Sequence, residues 1–170
     1  MASLSSSVYR TGHYGAALLV YAPVGLFLYP VSSAAAVVGG AGVLALARVP
    51  DYDLRVPLLS HRGPTHTLLF LVVVAGALAA AGWLLGAQVG VASDRQLAIA
   101  ALGALVGAVG IGSHLLADAL TPAGVPLLWP LSSRDYSLHL IGASNPVANW
   151  GLLALGVGAT AGTYLTVGAL

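Results

Sequence analysis

Apolar residues run through this chain in five long blocks, interrupted by short polar segments. The blocks cover roughly residues 13–30, 31–48, 65–90, 97–120 and 149–170. Each is close to the ~20 residues that a helix needs to cross the hydrocarbon core of a bilayer. The first two are separated by little more than Pro30-Val31-Ser32-Ser33, which predicts a tight helical hairpin. Glycine recurs in these blocks, and the Gly103–Gly107 spacing puts two small residues on one helix face, which permits close helix packing. The pattern predicts an all-α, polytopic membrane bundle of about five transmembrane helices, forming a single domain over residues 1–170. Arg10, the apolar run after it and Ser32-Ser33-Ala34-Ala35-Ala36 would also suit a signal peptide with its cleavage site. The second apolar run follows at once, which favours the hairpin.

Composition agrees with a membrane protein. Of 170 residues, 58% are hydrophobic and 6% charged, against about a quarter charged in soluble domains. The mean hydropathy is +0.93. The net charge of +1 offers no basic surface for nucleic acid. Cysteine, lysine and glutamate are all absent, so disulfides and thiolate metal sites are excluded, and any carboxylate chemistry falls to five aspartates.

Five helices place Arg10, Arg48, Arg55, Arg62 and Arg134 at one end of the bundle and Arg95 at the other. Positively charged residues favour the cytoplasmic side, which predicts a cytoplasmic N-terminus. Tyr9, Tyr14 and Trp150 then fall at the cytoplasmic interface, with Tyr29, Trp83 and Tyr164 near the opposite one.

With topology drawn from arginine alone, the other ionisable residues can be placed independently. All five histidines (His13, His61, His66, His114 and His139) and four aspartates (Asp51, Asp53, Asp118 and Asp135) fall at the arginine-rich end. Asp94, beside Arg95, reads as an ordinary turn residue at the other end. Ionisable residues in or near spanning helices are expensive and mark functional sites. Singly, each has a plainer reading: a structural His114–Asp118 hydrogen bond, a turn at Pro50–Asp53, interfacial His13 and His66, arginine anchors, and a solvated Asp135 and His139.

Together they suggest a metal site. Imidazole and carboxylate are the ligands that zinc and similar ions accept when thiolates are missing. His114 and Asp118 are four apart on one helix and so share a face. Asp, His, His and Asp from two helix ends and one loop can close around an ion, and a carboxylate can bridge a second, to which His13 would contribute. Arg62 would suit a phosphate clamp through paired hydrogen bonds. Without glutamate, Asp51 or Asp53 would have to serve as general base.

Three stretches carry a family resemblance: Pro50-Asp51-Tyr52-Asp53, HRGPTHTLLF from His61, and SHLLADALTPAGVPLLWP from Ser113. They resemble the YdjM-like inner-membrane metal-dependent hydrolases, over most of the chain from His13 to about Trp150. That family is in turn distantly similar to zinc-dependent phospholipases C and single-strand nucleases. The resemblance implies a metal shared by His66, His114, Asp118 and one of Asp51 or Asp53, with Asp118 bridging and His13 on a second ion. The loop aspartate would be the base or water-orienting group. His61 belongs to the membrane family's own motif, as an added ligand or a partner of one.

The chain also departs from the soluble enzymes. No Glu follows the His-x3-Asp element, only His139 does, and twelve residues precede His13 where those enzymes use a terminal amine. One or two divalent ions, zinc foremost, are therefore implied rather than three. The expected protein is a multi-pass inner-membrane hydrolase in the lipid bilayer, cleaving a phosphoester such as a phospholipid. The alternative is a non-catalytic metal carrier or sensor, although a transporter site belongs near the bilayer midplane.

Overall fold

A computed structural model describes residues 8–56 and 61–168. Five helices account for most of them: α1 (Arg10–Leu28), α2 (Ser33–Leu46), α3 (Leu68–Gln88), α4 (Ser93–Ala119) and α5 (Pro146–Gly168). Two short 3-10 turns, Pro50–Arg55 and Pro64–His66, lie between α2 and α3. Five spans, one of them continuing from Ser33 through Arg55, are long and apolar enough to cross a membrane. The protein is a polytopic helical bundle.

The helix boundaries follow from local chemistry. Leu28 O accepts from Val31 N and Ser32 N, and the Ser32 side chain accepts from Ala35 N, which closes the predicted hairpin and starts α2. Helix α3 starts later than the apolar pattern suggests. Thr67 is extended, and its hydroxyl accepts from Phe70 N, so the helix is capped there and Pro64–His66 forms a separate turn before it. Helix α1 starts earlier, at Arg10, and His13 sits within its first turn.

Helices α1, α2 and α4 form the centre, α5 packs on α1, and α3 packs on α4. Most of α3 and α5 faces outward, where an apolar surface is suited to lipid. The central cluster joins Ala17, Tyr21, Val43, Ala47 and Val106. Tyr21 donates its buried hydroxyl to Ala36 O at 2.6 Å, satisfying a polar group that has no water to turn to. Gly103 and Gly107 meet the backbone of Leu78 and Ala75, so the small-residue face packs α4 against α3 as its spacing predicts.

Gly15 and Gly156 do the same for α1 and α5. A Cβ on Gly15 would strike the Leu152 carbonyl group and Leu153 N, and one on Gly156 would strike Gly15 O. Backbone cannot yield as a flexible side chain can. Gly15→Val is therefore expected to force the pair apart and destabilise the protein by about 1–3 kcal/mol. A thermal-melting comparison in detergent checks this, and an unchanged melting temperature would contradict the packing.

The bundle has two unlike ends. One gathers the start of α1, the end of α2, both 3-10 turns, the start of α3, the end of α4, residues 120–145 and the start of α5. The other carries the α1–α2 hairpin and the α3–α4 connection, where Asp94 and Arg95 are exposed and Tyr29 meets Tyr164 edge-on at 5.2 Å.

Candidate metal centre

Eight side chains meet at the first end: His13 from α1, Asp51 and Asp53 from one 3-10 turn, His61 and Arg62 from the loop, His66 from the other turn, and His114 and Asp118 from the last turns of α4. His13, Asp53, His66, His114 and Asp118 are buried, and Asp51 is 11% exposed. Around the centre, His114 Nε2 lies 3.1 Å from His66 Nε2, 3.5 Å from Asp118 Oδ2 and 3.7 Å from Asp51 Oδ1. His66 Nε2 is 3.4 Å from Asp118 Oδ2 and 3.8 Å from Asp51 Oδ1. His13 Nε2 is 3.6 Å from Asp51 Oδ2 and 4.0 Å from Asp118 Oδ1, with its ring stacked on His114 at 4.0 Å.

Hydrogen bonds behind the rings assign their tautomers. His114 Nδ1 lies 2.8 Å from Ala47 O, and a carbonyl can only accept, so Nδ1 carries the proton. Thr65 donates its hydroxyl to Asp53 Oδ2 at 3.1 Å and therefore accepts from His66 Nδ1 at 3.0 Å. His61 Nδ1 donates to Asp53 Oδ1 at 3.1 Å. Each of these three imidazoles thus presents a bare Nε2 lone pair, with its other nitrogen tied to oxygen as in metal-ligating histidines.

Two facing lone pairs at 3.1 Å repel unless a positive charge stands with them. Asp51 and Asp118 already influence His66. Burial opposes its protonation, but these carboxylates outweigh burial and hold its pKa above the ordinary histidine value. Several of the converging atoms also have no hydrogen-bond partner among the described residues: His13 Nε2, Asp51 Oδ1, His61 Nε2 and Asp118 Oδ2. Buried polar atoms are rarely left so.

A divalent ion would satisfy both conditions. Ligand atoms ~2.0–2.1 Å from a tetrahedral ion stand roughly 3.3 Å from one another, close to the separations found here. Ligand atoms of His13, Asp51, His114 and Asp118 lie within 4.8 Å of one another, and so do those of Asp51, His61 and His66. The buried His/Asp groups can hold a metal ion, and Asp51 belongs to both sets.

The family model for the YdjM inner membrane proteins matches residues 10–169. The chain belongs to that family. It is 42% identical over 78 residues to the inner membrane protein YdjM of Escherichia coli (strain K12), and equally to that of Shigella flexneri. Each match covers 44% of this chain and 32% of the relative, so the aligned stretch spans about a third of the curated relatives' length. No solved structure matches. The YdjM-family chain is a multi-pass inner-membrane protein.

In this YdjM-family protein the structure separates residues that spacing leaves equivalent. Asp51 turns into the ring. Asp53, expected as a ligand or base, lies behind it and accepts from His61 Nδ1, Thr65 Oγ1 and Arg62 N. Arg62, expected as a phosphate clamp, turns inward: Nη2 donates to Asp118 Oδ1 at 3.0 Å, and Nη1 donates to Gly124 O at 2.6 Å and Thr121 Oγ1 at 3.4 Å. Its backbone holds φ 59°, uncommon for a side-chain-bearing residue, and the Asp53 carboxylate anchors its N–H. Gly124 is held in turn by paired backbone bonds between Val125 and Tyr136, and its φ of +68° brings it against Tyr136 O where a Cβ would collide. Asp135 and His139 are exposed and stay outside the cluster, as a solvated reading predicts; His139 Nδ1 pairs with Ser137 Oγ at 2.9 Å.

Asn149 belongs to none of the three motif stretches, yet it positions the site. Its buried amide accepts from Tyr9 N at 3.0 Å and donates to Ala143 O and Asn145 O, which ties the start of α1, and hence His13, to α5. A polar residue at the head of an apolar helix was the available signal.

Proposed function

We propose that this protein is a membrane-embedded, metal-dependent hydrolase whose single domain cleaves a phosphoester at the cytoplasmic interface. The observation that carries the reading is the convergence of buried, unpartnered His and Asp ligand atoms at one end of the bundle. The five arginines at that end support a cytoplasmic position. The mixed imidazole and carboxylate donor set suits zinc first. His66, His114, Asp118 and Asp51, whose facing ligand atoms stand 3.1–3.8 Å apart, would hold one ion, and His13, on the far oxygens of Asp51 and Asp118, would contribute to a second.

A bound divalent ion supplies Lewis acidity and brings the pKa of water at the site towards neutrality. The protein's own groups do the rest. Ala47 O and the Thr65–Asp53 pair fix the orientation of His114 and His66. Arg62 offsets the charge of Asp118 and holds it in place. Asp51 reaches both the metal centre and the outer cavity that it lines, so a carboxylate oxygen left free by an ion could take a proton from the attacking water.

Elemental analysis of purified protein is expected to find one or two equivalents of zinc or a similar ion. Hydrolysis of bis(p-nitrophenyl) phosphate or a labelled phospholipid should accompany it and disappear on chelation. No stoichiometric metal would overturn the reading, and stoichiometric metal without turnover of any phosphoester would favour a carrier or sensor.

A further inference from the structure

The inward turn of Arg62 leaves phosphate recognition to other residues, and a second group of arginines stands where it is needed. A cavity of about 450 Å³ opens beside the metal centre, lined by Arg10 at the start of α1, Arg48 after α2, and Arg55 and Tyr52 on the 3-10 turn. Tyr9 adds a second phenol, and the cavity reaches Asp51 of the metal ring. Three positive charges therefore face the single negative charge of Asp51.

These arginines are unlike simple interfacial anchors. Among the described residues none forms an ion pair, whereas Arg62 of the same end pairs with Asp118. Arg48 Nε is buried without a hydrogen-bond partner. Arg55 lies over the Tyr52 ring at 5.3 Å, which holds its guanidinium at the rim. Anchors would spread around the bundle's perimeter; these three, from the start of α1 and the stretch that follows α2, line one opening. The far end offers a contrast, since Arg95 borders a cavity lined almost wholly by aliphatic side chains.

We propose that Arg10, Arg48 and Arg55 form an anion-binding vestibule that takes a phosphate group carrying up to two negative charges and presents it to the Asp51 side of the metal centre. Guanidinium is the side chain best matched to phosphate oxygens. The volume lies within the range of small-molecule sites and leaves room for part of the group the phosphate is attached to. The inference rests on the hydrolase reading for what the anion does there, but the anion site itself can be tested separately. A lipid headgroup and a soluble phosphate ester share this chemistry.

The test uses the full chain in phosphatidylcholine nanodiscs, titrated with radiolabelled inorganic phosphate by equilibrium dialysis, with and without added zinc. Saturable binding is expected, weakened roughly tenfold or more for each guanidinium removed in R10Q, R48Q and R55Q. R95Q should bind as wild type does. Metal stoichiometry should be unchanged in all four variants, so loss of phosphate binding is not mistaken for loss of metal. Absence of saturable binding, or a triple R10Q/R48Q/R55Q variant with wild-type affinity, overturns the vestibule even if metal is bound. A wild type without metal that still binds phosphate through these arginines keeps the vestibule and sinks the hydrolase reading instead. Adding phosphatidylglycerol to the nanodiscs identifies the source: competition with phosphate supports a lipid headgroup in the vestibule, and unchanged affinity supports a soluble phosphate ester.

Discussion

Replacing His114 with alanine is expected to abolish stoichiometric metal binding and, with it, hydrolytic turnover. His114 Nε2 stands between His66, Asp51 and Asp118 at 3.1–3.7 Å, so no other side chain takes its place when it is removed. Losing a residue that merely supports a ligand costs 10–100-fold in metal affinity, and losing the ligand itself should exceed about 100-fold. Thermal melting separates this from general damage. A ligand bound by the native state stabilises by about 2.7 kcal/mol at a hundred times its Kd. Wild type should therefore gain melting temperature with zinc and lose it with chelator, and H114A should respond to neither. A zinc-dependent melting temperature in H114A would show that the ion, if bound, sits elsewhere.

Arg62→Gln has the second large effect and decides what this arginine does. Its guanidinium is 10% exposed and pairs with a carboxylate that is 1% exposed. Removing one partner of a buried pair leaves the other charge uncompensated and typically costs about 3–5 kcal/mol. R62Q is thus expected to melt well below wild type and to bind metal about 10–100-fold more weakly, as Asp118 loses its orientation. Affinity for inorganic phosphate should change little. A phosphate clamp predicts the opposite, with metal binding and stability kept and KM raised. Lysine should not rescue the variant, because a single ammonium cannot reproduce the fork that spans Asp118 Oδ1 and Gly124 O.

Several features are legible in the sequence alone, each for a physical reason. Runs of apolar residues long enough to cross a bilayer predict helices because lipid leaves no other partner for the backbone. All five appear, with boundaries displaced where a single cap acts, as at Thr67. The Gly103–Gly107 face predicts the α3–α4 contact because only small residues admit such close backbones. All five histidines and every aspartate but Asp94 fall at one end, because helices of fixed length alternate the ends at which loops fall.

The sequence by itself therefore determined the five-helix bundle, the end at which the ionisable residues gather, and the ligand chemistry open to a chain without cysteine or glutamate. It could not separate Asp51 from Asp53, which stand two residues apart on one tight turn. At three residues per turn they point in different directions, and which direction faces His66 and His114 depends on how that turn docks. The tertiary structure turned Asp51 into the ring and Asp53 behind it, beneath His61, Thr65 and Arg62 N. It also set where the arginines point. A guanidinium reaches several ångströms in any direction, so position along the chain does not say whether it points to Asp118, as Arg62 does, or into an open cavity, as Arg10, Arg48 and Arg55 do. Those choices are made by contacts between segments far apart in the chain, and local pattern carries no record of them.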